Sequence, residues 1–242
     1  MSDNNIYRHE LKYLINHCDL ALTRQRINGI MKRDEHTVNG IYKIRSLYFD
    51  DYWNTSFTDK IMGVNNRKKY RIRFYNDDDR FIRLERKSKV ENYICKVSTP
   101  ITREEAELII DGRYAFLLKK DNDLCRDVYY QCVSRVMRPC VIVEYEREAF
   151  VHLAGDTRVT FDTNVRASTM FKEFFTPLLP FSYMFEEGNL VMEVKFTELL
   201  SKIIRNAIPC KSNEYSAVSK FTGCFEKTSS FIPLTFNGAT QI

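Results

Sequence analysis

Glycine and proline are scarce in this 242-residue chain, at 8 and 6. That excludes collagen-like, linker-rich and low-complexity architectures and leaves few turns that depend on glycine. Apolar runs are short: none approaches the roughly 18 residues that read as a membrane-crossing helix, and the polar stretch Met1 to Lys12 lacks the apolar centre of a secretory signal. Neither export nor a membrane span is expected, and a cytoplasmic location is. Cys-x-x-Cys spacing is absent as well. The seven cysteines (Cys18, Cys95, Cys125, Cys132, Cys140, Cys210, Cys224) are odd in number and scattered, which suits reduced thiols rather than a zinc or disulfide framework. Charge bias is mild, with 37 Lys and Arg against 32 Asp and Glu for a formal +5.

What is present is a folding sequence. A hydrophobic content of 44% with 13% aromatics excludes disorder. No internal repeat or linker divides the chain, so residues 1–242 are expected to form a single domain. Extended, alternating or β-branched patterns mark strands at Tyr7 to Tyr13, Tyr42 to Phe49, Tyr70 to Tyr75, Phe81 to Lys89, Tyr93 to Ser98, Val141 to Phe150, Arg158 to Asp162 and Asn189 to Phe196. Helical spacing marks Asp19 to Arg33, Asp121 to Val136, Glu198 to Ile208 and Ser216 to Phe225, and a Thr-x-x-Glu capping box at Thr102 and Glu105 opens a further helix through Ile110. About eight strands with irregularly interspersed helices predict an α+β protein with an antiparallel sheet.

The informative feature is where the charges lie within those strands. Side chains alternate faces along a strand, so Arg71 and Arg73 share one face, as do Arg83, Glu85, Lys87 and Lys89, Glu10 and Lys12, and Glu193 and Lys195. Met192, Val194 and Phe196 occupy the opposite, apolar face. A single such strand needs no more than bulk water on its charged side. Recurrence over several strands is different: a sheet curled around those faces would enclose a basic cavity, which must be wet or hold a polyanion, because burying so many cations dry is prohibitive. Phosphate chains suit it, since Arg offers bidentate hydrogen bonds, Lys a point charge, and a carboxylate can hold a divalent cation that bridges phosphates.

The segments Glu10-Leu11-Lys12, Tyr70-Arg71-Ile72-Arg73-Phe74-Tyr75, Leu84-Glu85-Arg86-Lys87, Tyr145-Glu146-Arg147-Glu148-Ala149-Phe150, Arg158-Val159-Thr160-Phe161-Asp162, Val191-Met192-Glu193-Val194-Lys195 and Ser219-Lys220, in that order, resemble the catalytic domain of the vacuolar transporter chaperone (VTC) family. These are the polyphosphate polymerases of the triphosphate tunnel (CYTH-like) superfamily, and the resemblance runs from about Tyr7 to Phe225. It implies a closed antiparallel eight-stranded β-barrel with flanking helices, and transfer of the terminal phosphoryl group of ATP to a growing inorganic polyphosphate chain. Lys12, Arg71, Arg73, Lys87, Arg147 and Lys220 would contact phosphate, with Lys96 and Lys195 as weaker contacts. Glu10 and Glu85 would be tunnel carboxylates, and Glu193 would ligate Mn²⁺ or Mg²⁺. Strand parity supports Lys12, Arg71, Arg73, Lys87, Glu193 and Lys195 as inward, whereas Arg147 alternates in step with the apolar Val143 and with Tyr145. ATP and polyphosphate are then the partners, with no nucleic acid, and any attachment to a membrane falls to another protein. Two departures stand out: Arg8-x-Glu10-x-Lys12 replaces the Glu-x-Glu-x-Lys usual in the tunnel hydrolases and cyclases, and Ala217 stands where the polymerases usually carry a Lys. A hydrolase of triphosphate or polyphosphate, and a non-catalytic module binding polyphosphate or nucleotide, remain open beside the polymerase.

Other conspicuous residues have simpler readings. His9, His17, His36 and His152 show no ligand spacing. Asp77-Asp78-Asp79 reads as a solvated turn, Arg67-Lys68-Lys69 as a loop beside the tunnel mouth, and Ser88 and Ser219 lack the His and Asp of a nucleophilic arrangement.

Overall fold

Alternation of charged and apolar residues becomes strand, and the apolar stripes of the helices close over the apolar faces. The structure is a computed structural model that describes residues 9–35, 40–91, 93–186, 188–197, 199–208 and 218–229. Tyr7, Arg8, His36, Glu198, Cys210, Ser216 and Ala217 lie outside them. In chain order the elements are β1 (His9–Asn16), α1 (His17–Ile27), β2 (Lys32–Arg33), β3 (Ile41–Asp50), α2 (Thr55–Ile61), β4 (Arg67–Tyr75), β5 (Asp78–Val90), β6 (Tyr93–Ile101), α3 (Arg103–Ile110), α4 (Asp123–Ser134), β7 (Arg138–His152), β8 (Thr157–Ser168), β9 (Ser182–Tyr183), β10 (Asn189–Phe196), α5 (Lys202–Ala207) and α6 (Lys220–Ser229). Among the described residues three short 3₁₀ segments, at Ala115–Lys119, Ala154–Asp156 and Phe171–Glu173, complete them.

All pairings are antiparallel, along the path β1-β10-β8-β7-β3-β4-β5-β6, with β2 added to β7 and β9 to β8. The eight principal strands of the expected α+β fold are therefore there. Among the described residues, however, no ladder joins β6 back to β1, so the sheet is not closed as expected. It curls instead. From β1 to β5 is six strand spacings, roughly 29 Å if flat, yet Lys87 Nζ on β5 lies 3.2 Å from Glu10 Oε2 on β1. That ion pair reaches across the concave interior from β5 to β1.

The core lies mostly outside the curl. On one half, Tyr70, Ile72 and Phe74 of β4 and Ile82 and Leu84 of β5 pack with Ala106 and Ile109 of α3 and with Leu124 and Val128 of α4. On the other, Met192 and Val194 of β10, with Val159 and Phe161 of β8, pack under Leu20 and Ile27 of α1 and Ile204 of α5. A third cluster fills part of the concave side, where Phe221 and Cys224 of α6 meet Tyr48, Val143, Tyr145 and Val165. Each fully buried aliphatic or aromatic side chain contributes about 1.5–3 kcal/mol, so the apolar faces point outward to helices and the charged faces inward.

Several sequence-based boundaries move, for local reasons. The helix expected over 19–33 ends at Ile27, where Asn28-Gly29 are poor helix formers, and Lys32–Arg33 pair with Phe150 and Val151 instead. The helices expected at 198–208 and 216–225 are Lys202–Ala207 and Lys220–Ser229. The capping box forms as read, with Thr102 Oγ1 accepting from the Glu105 amide and Glu105 Oε2 from the Thr102 amide. Helix α2 was not anticipated, being seven residues long and without a buried side chain. The Asp50 carboxylate, which accepts the Ser56 and Phe57 amides at 2.9 and 3.0 Å, holds its first turn. Arg67-Lys68-Lys69 is not a loop. It is the start of β4, laddered to Lys89, Ser88 and Lys87. Of the three aspartates read as a turn only Asp77 lies in it, beside Asn76, whereas Asp78 and Asp79 open β5; they are tied to Lys43, Arg80 and Arg103 respectively.

Candidate functional site

A cavity of about 480 Å³ occupies the concave side of the sheet. Eleven Lys and Arg side chains line it, against two carboxylates, Glu10 and Glu193. β1 and β10 supply one wall: their register sets Glu10 opposite Lys195 and Lys12 opposite Glu193, a checkerboard of charge. β4 and β5 supply the facing wall with Arg71, Arg73 and Lys87, and β7 and α6 supply Arg147 and Lys220.

The floor is an ionic hub. Arg147 grips Asp162 with both ends of its fork, Nε to Oδ1 at 2.5 Å and Nη2 to Oδ2 at 2.7 Å, and the two residues are direct cross-strand partners. Lys220 Nζ reaches Asp162 Oδ2 at 2.5 Å and Glu193 Oε1 at 2.9 Å. Glu193 also meets Lys195 at 3.2 Å, Arg147 at 3.6 Å and Lys12 at 3.7 Å. Burial alone would raise the Glu193 carboxyl, but Lys220, Lys195, Lys12 and Arg147 outweigh it and hold it well below the usual carboxylate range. Glu10 is lowered in the same way by Lys87 and Lys12 against its burial. Lys12 and Lys220 are raised by the carboxylates, which overcome the burial that disfavours their charge. Their positive charge is thus locked in.

Aromatic hydroxyls aim the arginines. Arg71 donates to Tyr48 Oη at 3.0 Å and, through Nε, to Glu85 Oε2 at 2.7 Å. Arg73 donates to Ser46 Oγ at 2.9 Å and to Tyr145 Oη at 3.4 Å. It is buried, and among the described residues no carboxylate lies within 4 Å of it. Arg147 and Lys220 both stand over the Tyr145 ring, 5.2 and 5.1 Å from its centroid. Arg147 therefore does share its face with Val143 and Tyr145. The concave face is part apolar because α6 packs on it, so parity with apolar neighbours was no obstacle.

Of the residues singled out from sequence, Lys12, Arg71, Arg73, Lys87, Arg147, Lys195, Lys220, Glu10 and Glu193 come together on this cavity. Glu85 and Lys96 do not line it. Glu85 is sealed beneath Arg71, and Lys96, on the edge strand β6, turns to Glu85 at 3.2 Å with its side chain half exposed. Lys87, the ladder partner of Lys96, faces the cavity and Ile94 of β6 lines it, so it is the pull of Glu85 that turns the Lys96 ammonium away. Sequence reasoning missed Tyr48, Tyr145, Lys60, Lys69 and the supporting Asp162, and it placed Lys89 on the charged face of its strand without giving it a role. Lys69 and Arg67 share the parity of Arg71, but an unbroken basic run hides alternation.

Burial, with Lys12, Lys87, Lys60 and Arg67 close by, pushes the Lys69 ammonium down to about 6, and burial brings Lys87 to about 8 despite Glu10. An unfolded lysine titrates near ~10.4. From about pH 6 to about pH 8 the unfolded chain therefore binds more protons than the folded one, and stability should rise with pH. The lowered carboxylates act below that window and the raised Lys12 and Lys220 above it. Chemical denaturation at several pH values tests this: the rise should flatten in Lys69→Gln, and an unchanged slope would show that another group titrates.

Among the described residues, no three His, Cys, Asp or Glu side chains come together as a ready metal site. Glu10 and Glu193 share the Lys12 ammonium, at 3.2 and 3.7 Å. This donor set fits a hard cation that arrives with phosphate oxygens and water as its other ligands, the usual manner for Mg²⁺, better than one held by protein alone.

The sequence model of a family described as the VTC domain matches residues 7–228. No curated protein matches. Among solved structures, a candidate adenylyl cyclase from Hippeastrum, described as having a dominant triphosphatase activity, is 16% identical with a TM-score of 0.56, covering 95% of this chain and 99% of that one. A candidate adenylate cyclase from Bacillus halodurans is 10% identical with a TM-score of 0.47, covering 79% and 82%. The first likeness shows a shared fold.

Proposed function

The chain belongs to the VTC domain family, and from that premise we propose that it is a polyphosphate polymerase, transferring the terminal phosphoryl group of ATP to an inorganic polyphosphate chain in this cavity. The observation that carries the proposal is the convergence of eleven cations and two carboxylates on one cavity. Phosphoryl transfer passes through a loose transition state with charge spread over the equatorial oxygens, so alignment and fixed positive charge supply most of the catalysis.

Arg71 and Arg73, aimed by Tyr48 and Tyr145, offer fork-shaped donors to phosphate oxygens. Asp162 orients Arg147 and Lys220 without facing the cavity itself. Glu193 would hold Mn²⁺ or Mg²⁺; when bound, such an ion supplies charge neutralisation at the β and γ oxygens. A terminal oxygen of the polyphosphate attacks the γ phosphorus, the bond from the γ phosphorus to the β–γ bridging oxygen breaks, and ADP leaves. The attacking oxygen is already ionised at neutral pH. Glu10 and Glu193, held far below their ordinary pKa, are poor bases, which favours a phosphate acceptor over water. No helix among the described residues is long and apolar enough to cross a membrane.

Purified protein given ATP and Mn²⁺ should convert ATP to ADP and polyphosphate longer than the primer supplied, resolved by gel electrophoresis. Release of orthophosphate alone would replace the polymerase by a hydrolase. Binding without turnover would leave a polyphosphate-binding module.

A further inference from the structure

Exposed apolar side chains gather at one end of the strands. Antiparallel register brings the end of β3, the start of β4, the end of β5 and the starts of β6 and β7 together there, with Asp50 opposite Arg138, Phe49 opposite Tyr70, Arg67 opposite Lys89 and Val90 opposite Tyr93. Three connections project from this end. The turn after β3 carries Tyr52 and Trp53, the end of α2 carries Ile61 and Met62, and the turn from β5 to β6 is flanked by Val90 and Tyr93, all six exposed. Trp53 is 76% and Met62 75% exposed. The Tyr52 and Trp53 rings meet edge to face, 4.9 Å between centroids, and the Arg138 guanidinium stands over Tyr52 at 5.8 Å. Single apolar side chains on a surface need no explanation, but a set of large ones at one end marks an interaction site.

Cations surround them. Lys68 and Arg138 are exposed, and Lys60, Arg67 and Lys89 stand where the cavity reaches this end. Of the carboxylates nearby, Asp50 accepts the Ser56 and Phe57 amides, and Asp51 accepts the Thr55 amide and pairs with Arg135. Asp59, beside Arg67, and Glu91, in the turn after β5, are the others. The balance is basic. At the opposite end of the same strands the turn from β4 to β5 presents Asp77, with Asp78 and Asp79 opening β5, so an anionic surface attracts the apolar end and repels the other.

We propose that the apolar end docks on an anionic lipid bilayer, with Tyr52, Trp53, Ile61 and Met62 entering the boundary between headgroups and acyl chains while Lys68 and Arg138 meet the anionic headgroups. Amphipathic rings settle at that depth, and apolar insertion and electrostatic attraction reinforce each other there. Apolar side chains on separate turns, interleaved with cations, match a fluid charged layer better than a protein interface, whose core is depleted of charge. No helix among the described residues is long and apolar enough to cross a membrane, so the contact is peripheral, and it requires no other protein as an anchor. It does not depend on which reaction the cavity performs.

Trp53 is the only tryptophan of the chain, so its fluorescence reports the contact. Vesicles of phosphatidylcholine mixed with phosphatidylserine should shift its emission to the blue and, with brominated acyl chains, quench it. Phosphatidylcholine alone should act weakly, and added salt should weaken binding to the mixed vesicles. In Ile61→Ser/Met62→Ser, which alters no buried side chain, affinity for the mixed vesicles should fall roughly tenfold or more while the melting temperature stays that of wild type. Lys68→Gln/Arg138→Gln should erase the preference for phosphatidylserine. Unshifted Trp53 emission, equal binding to both kinds of vesicle, or undiminished affinity in both variants overturns the proposal. So does a shift that follows protein concentration in the absence of lipid, which would make a second copy of the chain the occupant.

Discussion

Arg73→Met should lower phosphoryl transfer by about 10³-fold or more while leaving the ligand-free protein as stable as wild type or more so. The transfer loss follows because fixed cations on the transferring group account for factors of this size. The stability result follows from its surroundings. Arg73 is buried, and its side chain finds Ser46 and Tyr145 hydroxyls but no carboxylate within 4 Å among the described residues. Glu85 compensates its burial only from beyond ion-pair distance, and replacing a buried charge without a direct ion pair by an apolar side chain of similar length is often neutral or stabilising. Steady-state kinetics with ATP, set beside thermal melts, reads both quantities. A variant that melts early and loses activity in proportion would make Arg73 a structural residue rather than one kept for a bound anion.

Glu193→Gln should separate binding from turnover. Loss of the carboxylate leaves Lys220, Lys195, Arg147 and Lys12 short of one negative charge, and breaking a buried charge pair of this kind costs about 3 kcal/mol or more. Because Asp162 still holds Lys220 and Arg147, the protein should still fold. Tripolyphosphate should restore most of the stability, since its oxygens replace the missing charge. Metal-free binding of tripolyphosphate should be as tight as in wild type or tighter, while turnover falls by about 10²-fold or more. Chemical denaturation with and without tripolyphosphate, calorimetry and product assay together decide the case. Undiminished turnover would remove Glu193 from any metal-holding role. Parallel loss of binding and turnover would make it a packing residue.

Much of this site was legible before any coordinates. Arg71-x-Arg73, Glu193-x-Lys195 and Glu10-x-Lys12 each alternate with apolar residues, and a strand with that alternation can only send the charges to one side. The Thr102 and Glu105 box was equally readable, because a cap involves four consecutive residues and nothing distant. Lys69 and Arg67 were hidden by Lys68 between them, since a basic run has no period. Asp162 carried no signal of its role, as its partner Arg147 lies fifteen residues away and its other partner Lys220 comes from α6, remote in the sequence. Lys96 went the other way: the resemblance offered it as a phosphate contact, but its ammonium is taken up by Glu85.

Local order, then, decided which side chains share a face, because the two-residue period of a strand is a property of the backbone alone. Whether those faces look at one another is a property of the whole sheet. Curvature brings β5 against β1 across five intervening strands, while outer helices bury one face of the sheet and α6 occupies part of the other. Only that arrangement makes Lys87 a neighbour of Glu10 and sets which cations have a carboxylate and which are left for a ligand, since Coulomb energy depends on distance in space and not on position along the chain.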